Sequence, residues 1–185
     1  MRVLAFAASL RRASHNKKLA AAAAAVARAA GAEVDLADFR EFDMPLFDQD
    51  VFDATGLPPG GQELKRRLDA AGGLLLASPE YNFSLPGTLK NAIDWLSRVK
   101  PMPWHGKSAL LLSTSVGAVG GVRGLWQLRI PLEGCGTFVY PDMFSLPKGP
   151  EAFDDAGALR DPKAAERLTK LVAAWLRTTE ALARQ

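Results

Sequence analysis

The sequence predicts an α/β domain: a three-layer sandwich in which helices cover both faces of a five-stranded parallel sheet. Three observations carry this reading. Short apolar runs alternate with longer segments of helical periodicity, the order in which strands and crossover helices build parallel sheets. The runs are apolar throughout rather than at every second position, as strands buried on both faces must be. Three of them end in loops rich in small, hydroxylic or turn-forming residues, and in open α/β sheets ligands bind beyond the carboxyl ends of strands.

Residues 3–7 are the first strand, and the loop from Ala8 to Asn16 feeds an alanine-rich helix ending near Gly31. Residues 33–36 read as the second strand. Residues 38–61 are loop-rich, with Pro45, Pro58, Pro59, Gly60 and Gly61, and read most simply as a solvated connection. Phe39, Phe42, Phe47 and Phe52 nevertheless need a surface to cover them, which leaves a lid or a subunit contact open. Residues 62–71 form a helix with Leu64 and Leu68 inward, and residues 74–77 the third strand. A helix starting at Pro86 follows, with Leu89, Ala92, Ile93 and Leu96 on its buried face. Trp95 falls off that stripe and is assigned to a subunit contact, with a partly buried surface aromatic as the other reading. Pro101 and Pro103 follow this helix, residues 107–112 are the fourth strand, and residues 121–132 another helix. Residues 137–140 are the fifth strand, and residues 142–161 a loop-rich stretch. The last helix, residues 162–184, packs Leu168, Leu171, Val172, Trp175 and Leu176 inward.

Composition narrows the function. A chain of 185 residues, 48% hydrophobic and 23% charged, is most simply one soluble domain, here residues 1–185. A net charge of +3 without a basic block gives no reason to expect a nucleic-acid partner. The single cysteine, Cys135, reads as a small core residue, and with only His15 and His105 beside it no zinc site is expected. The apolar start at residues 3–8 is short for a signal peptide, and the longest apolar run, residues 19–27, is far below the roughly 20 that span a bilayer. A cytoplasmic protein without a membrane partner is expected.

The chemistry lies in three loops. The first offers Ser9, Arg11, Ser14 and Asn16 just before a helix, whose N-terminal N–H groups and partial positive charge favour a phosphate. Helix capping by Ser14 or Asn16 is an equal reading of the same residues. The loop has no glycine, so it is neither a dinucleotide fingerprint nor a Walker A loop. The second loop is Pro79-Glu80-Tyr81-Asn82. The third, residues 113–123, is glycine-rich, with Ser115, Gly117, Gly120 and Gly121 allowing close backbone approach to a ligand. Arg123 and Arg129 read as solvated helix positions, and Glu80 as facing solvent. No nucleophilic triad, paired carboxylates, GxSxG elbow or HExxH is present, so no catalytic side chain and no metal ligand is predicted. That absence fits a protein whose cofactor carries the reaction.

Pro79-Glu80-Tyr81-Asn82, then Pro86-Gly87 and the run from Leu89 to Trp95, closely resemble the signature of the NADPH-dependent FMN reductase family, which includes quinone and chromate reductases of flavodoxin-like fold. The first loop is similar to that family's G-S-x-R-x-x-S-x-N loop, with Ala8 in place of the leading glycine. The third is similar to its S-x-G-x-x-G-G-x-R loop. The resemblance implies a flavodoxin-like sheet of order 2-1-3-4-5, in which the three loops converge at one crevice. It implies FMN with its phosphate on Ser9, Arg11, Ser14 and Asn16. The ring edge would lie along Pro79, Glu80, Tyr81 and Asn82 and near Ser115 and Gly117, with backbone N–H groups stabilising charge that develops on reduction. NADPH as hydride donor, a small acceptor (quinone, free flavin, azo compound or metal oxyanion), a ping-pong scheme and a homodimer or homotetramer are implied likewise. NADH is equally compatible, since no separate 2′-phosphate site can be read. A flavodoxin-type electron carrier that does not oxidise NADPH is the alternative on the same fold.

Overall fold

The computed structural model describes residues 1–184. Strands β1 (Arg2–Ala7), β2 (Glu33–Asp38), β3 (Gly73–Ala77), β4 (Ser108–Thr114), β5 (Phe138–Val139) and β6 (Phe144–Leu146) form one parallel sheet in the order β2-β1-β3-β4-β5, as expected. The fifth position is divided. β5 pairs with Ser108 and Ala109 at the start of β4, and β6 pairs with Leu112 to Thr114 at its end. The sequence reading missed β6, because three residues between Met143 and Pro147 are too few to show a period.

Side chains alternate across the central strands and so divide the interior into two cores. On one face Leu4, Phe6, Leu74, Leu76, Ala109 and Leu111 pack against α3 (Pro59–Ala70), α4 (Gly87–Ser97) and α5 (Val122–Gly134). On the other, Val3, Ala5, Leu75, Ala77, Leu110 and Leu112 meet α1 (His15–Ala29) and α6 (Pro162–Leu182). The alanines of α1 are more than filler: Ala20, Ala23, Ala24 and Ala27 are buried, and their small size lets the helix lie close on the sheet. Gly73 serves the same end on β3, where a Cβ would stand 2.8 Å from the ring of Trp175. The Trp175 indole N–H donates to the buried Ser108 hydroxyl at 3.0 Å.

Residues 38–61 are ordered by their phenylalanines rather than merely solvated. A 3-10 helix, Phe39–Phe42, buries Phe39 and Phe42 against Phe6. A further helix, α2 (Gln49–Thr55), was not expected, having no buried residue to impose a pattern. The assignment of Trp95 to a subunit contact is corrected by this segment. Trp95 is fully buried, with Phe47 edge-on at 5.2 Å and its indole N–H donating to the Pro45 carbonyl at 2.8 Å. The four-residue spacing from Asn91 gives a second anchor, since Asn91 donates to the same carbonyl and accepts from Phe47 N–H at 2.8 Å.

Candidate functional site

The carboxyl ends of β1 and β3 are level, β4 runs on past them from Leu112 to Thr114, and the chain leaving β1 and β3 continues the ladder briefly before turning away. Ala8 N–H donates to Ala77 carbonyl at 2.8 Å, and Ser78 N–H to Leu112 carbonyl at 2.8 Å. Three loops therefore start side by side: residues 8–14, 78–86 and 115–121.

In the first loop Ser9 and Ser14 are nearly buried, at 3% and 5% exposure, and neither hydroxyl has a hydrogen-bond partner among the described residues. Ser14 occupies the N-cap position of α1 without making a side-chain cap, so the first-turn N–H groups lack the partner that position usually supplies. Arg11 and Arg12 are exposed, and no carboxylate pairs with either among the described residues. Two serine hydroxyls, an uncapped helix N-terminus and unpaired guanidinium groups are the donor set a phosphate monoester requires. His15, within the same turn, is kept below its ordinary pKa by burial and then by the charges of Arg11 and Lys18.

Asn16 has a bonding role of its own. Its buried carboxamide donates to Thr114 carbonyl at 2.9 Å and accepts from Thr114 N–H at 3.0 Å, tying the first turn of α1 to the end of β4. Thr114 in turn donates its hydroxyl to Leu146 carbonyl at 2.8 Å. This draws in residues 146–149, a segment that sequence reasoning did not place at the site. A Cβ on Gly149 would lie 2.7 Å from Thr114 Oγ1 and 3.3 Å from His15 Cβ, so only glycine permits this approach. Pro147-Lys148-Gly149 was readable as a turn, though not as one facing this loop.

The second loop is a tight hairpin. Tyr81 and Ser84 exchange both backbone hydrogen bonds at 3.0 Å, and the two residues between them, Asn82 and Phe83, have φ of 49° and 67°. This is the pattern of a type I′ turn. Tyr81 and Phe83 are 51% and 66% exposed, so the turn presents two aromatic rings to solvent.

Glu80 does not face solvent, contrary to expectation. Its side chain is 8% exposed, and its carboxylate accepts from Arg123 Nε at 2.9 Å and from the backbone N–H groups of Arg123 and Gly124 at 3.0 and 3.1 Å. Burial alone would raise its pKa, but the bonds from Arg123 and Gly124 outweigh it and hold the carboxyl below its ordinary value. Arg123 is accordingly not a free solvated position; its guanidinium lies 4.4 Å over the Phe83 ring. Arg129 is engaged too, donating to Tyr140 carbonyl at 2.9 Å.

In the third loop Ser115 is half-buried and Gly117 exposed. Ser115 accepts at its carbonyl from Gly149 N–H at 2.9 Å. Gly120 and Gly121 have φ of 63° and 82°, and a Cβ on Gly121 would fall 2.1 Å from Ser113 Oγ. That Ser113 hydroxyl is buried without a partner. Among the described residues no group of three or more His, Cys, Asp or Glu side chains could hold a metal ion. Cys135 is half-buried, away from the loops, and burial, then Asp94, raise its thiol pKa.

Comparison with known proteins agrees with this geometry. The chain is 37% identical to an NAD(P)H-dependent FMN reductase of Pseudomonas aeruginosa, with 96% of each chain covered. It is 35% identical to a probable NADPH:quinone oxidoreductase of Oryza sativa, over 93% of this chain and 85% of the other. Among solved structures, a flavoenzyme NAD(P)H:(acceptor) oxidoreductase of Paracoccus denitrificans superposes with a TM-score of 0.84 at 30% identity, covering 97% of both chains. The family profile described as NADPH-dependent FMN reductase matches residues 1–151. With the expected sheet order observed and the three signature loops gathered at one end of it, the chain belongs to the NADPH-dependent FMN reductase family.

Proposed function

We propose that the protein is an FMN-dependent NAD(P)H oxidoreductase that passes electrons from NADPH to a small acceptor by a ping-pong scheme. The observation that carries this is the first loop: Ser9 and Ser14, nearly buried as residues with hydroxyls that have no partner among the described residues, beside an uncapped helix N-terminus and two arginines with no carboxylate partner among them. FMN when bound would supply the redox chemistry, accepting hydride from NADPH and releasing the electrons to the acceptor.

The residues present fit that cofactor. Ser9, Ser14, Arg11 and the first-turn N–H groups of α1 would hold its phosphate. Asn16 serves the same loop through Thr114, fixing the helix end against β4. The backbone of Pro79, Glu80, Tyr81 and Asn82 would line the ring edge, opposite Ser115 and Gly117. None of these side chains transfers a proton at a reacting atom; they bind and orient. The open side of the crevice would take NADPH, or NADH, and then the acceptor. The quinone oxidoreductase name of the rice relative favours a quinone among the small acceptors.

We also propose a homodimer or homotetramer acting in the cytoplasm. With Trp95 buried, the exposed aromatic and aliphatic side chains of α5, Trp126 at 56% and Ile130 at 67%, are the better contact. Light scattering of the purified protein checks this, and a monomeric mass at micromolar concentration would overturn it. No described helix is long and apolar enough to cross a membrane.

The visible absorption spectrum, before and after anaerobic addition of NADPH, tests the reaction. A yellow protein that releases FMN on denaturation and bleaches promptly with NADPH is expected. A yellow protein that NADPH leaves unbleached would point to an electron carrier of flavodoxin type, and a colourless one that refuses added FMN would end the flavin reading.

A further inference from the structure

We infer that Glu80 is a positioning residue: its carboxylate caps α5 from outside the helix, and with Arg123 and Phe83 it locks the second and third loops into one rigid unit that presents the ring-facing backbone. This rests on the flavin reading above.

The need for an external cap comes from the sequence of the third loop. α5 begins after Gly121, which has no side chain to accept from the first-turn N–H groups. Val122 N–H is met by Val119 carbonyl at 3.3 Å, but those of Arg123 and Gly124 are otherwise orphaned. Glu80, 43 residues earlier, supplies the acceptor: one oxygen takes the N–H groups of Arg123 and Gly124 at 3.0 and 3.1 Å. A carboxylate at a helix N-terminus is also favoured by the helix dipole. The other oxygen takes Arg123 Nε at 2.9 Å. All the donors come from one place, so the carboxylate is fully committed and has no spare lone pair suited to a general base.

The same arginine reaches the turn. Phe83 sits at φ 67°, a conformation bulky residues adopt only when their surroundings enforce it. The Arg123 guanidinium lying 4.4 Å over its ring is such an enforcement. Glycine at 124 completes the fit, because a Cβ there would stand 3.1 Å from Glu80 Cα, Glu80 Cβ and Ser84 carbonyl oxygen. The chain thus touches at backbone, carboxylate and ring on three sides of Glu80. Residues 79–84 cannot shift relative to the start of α5 without breaking several of these contacts together.

The test separates the ring side of the site from the phosphate side. Binding of FMN and of riboflavin, which lacks the phosphate, is titrated for the unaltered protein, Glu80→Gln, Arg123→Lys, the double variant and Arg11→Ala. Arg11→Ala is expected to weaken FMN about tenfold and leave riboflavin unchanged, as loss of a charge-assisted phosphate contact should. Glu80→Gln is expected to weaken both ligands by the same factor, about tenfold, with altered fine structure in the bound-flavin spectrum. Arg123→Lys keeps the charge and the backbone donors, and loses the fork and the ring contact. It should act in the same direction, and the double variant should be no worse than the stronger single one. Amide hydrogen exchange of the flavin-free protein supplies an independent readout: Ser84 and Gly124 N–H should exchange about tenfold faster in Glu80→Gln. Unchanged riboflavin affinity and unchanged exchange in both variants would overturn the inference while leaving FMN binding intact. Failure of the unaltered protein to bind either ligand would instead overturn the flavin reading, and with it the positioning role.

Discussion

Asn16 and Thr114, 98 residues apart, are joined by two buried hydrogen bonds in opposite directions, at 2.9 and 3.0 Å. A side-chain amide so placed substitutes for a neighbouring strand, satisfying both backbone groups of the last residue of β4. The phosphate-type loop thereby inherits its rigidity from the sheet.

Asn16→Ala leaves both Thr114 groups unpaired in the interior. It is expected to cost about 2–4 kcal/mol in denaturant unfolding. Asn16→Asp should cost at least as much above neutral pH, since a carboxylate oxygen would then face the Thr114 carbonyl.

Gly121→Ala combines a left-handed residue with a Cβ 2.1 Å from Ser113 Oγ. A loss exceeding about 2 kcal/mol is expected by thermal or denaturant unfolding. Ser113→Ala by itself should be neutral or slightly stabilising, because it removes a buried hydroxyl that has no partner. Introduced together with Gly121→Ala, it should recover part of the loss.

Trp95→Phe keeps the ring contacts but drops the bond to Pro45 carbonyl, and should cost about 1–2 kcal/mol. Trp95→Ala should cost about 3–5 kcal/mol and loosen residues 45–52, since Phe47 and Phe52 both pack on it. Light scattering on Trp95→Phe should match the parent mass, as a buried ring makes no subunit contact.

The Glu80 carboxyl is held below its ordinary value in the folded chain, so its contribution is present in full above the unfolded glutamate pKa of about 4.3 and is lost as pH falls through the lower folded value. The difference in unfolding free energy between the parent and Glu80→Gln should be largest near neutrality and close progressively in acid. A difference that widens below pH 4 would contradict the capping role.

Cys135 carries a thiol whose pKa burial and Asp94 push up, which keeps it protonated and unreactive near neutrality. Cys135→Ala should retain NADPH-dependent turnover within about twofold, and alkylation of the native thiol should be slow compared with that of the unfolded chain.

The strands were legible because burial on both faces makes them continuous apolar runs; β1, β3 and β4 deviate from expectation only at their ends. The loops were legible because their residue types are those that bind or turn. What escaped depends on partners distant in sequence. Trp95 looks unpartnered on its own helix, and its cover comes from residues 45–52, a stretch with no period. Glu80 looks free until α5 folds beside it with no cap of its own. Asn16 was readable as a phosphate ligand or a cap, and the structure shows it also holding a strand end; no local pattern announces that.

The divided fifth position has a consequence for life at high concentration. A sheet's outermost strand offers unpaired amides and carbonyls to any passing chain, and a long flat one invites end-on polymerisation. Here that border consists of a two-residue and a three-residue segment separated by Tyr140 to Met143, too short and too offset to template a foreign strand. The opposite border, β2, carries Glu33, Asp35 and Asp38, each paired with a cation of its own chain: Arg2, Arg67 and Lys17. The divided margin is thus poorly shaped for recruitment, and end-on addition there would have little ladder to extend.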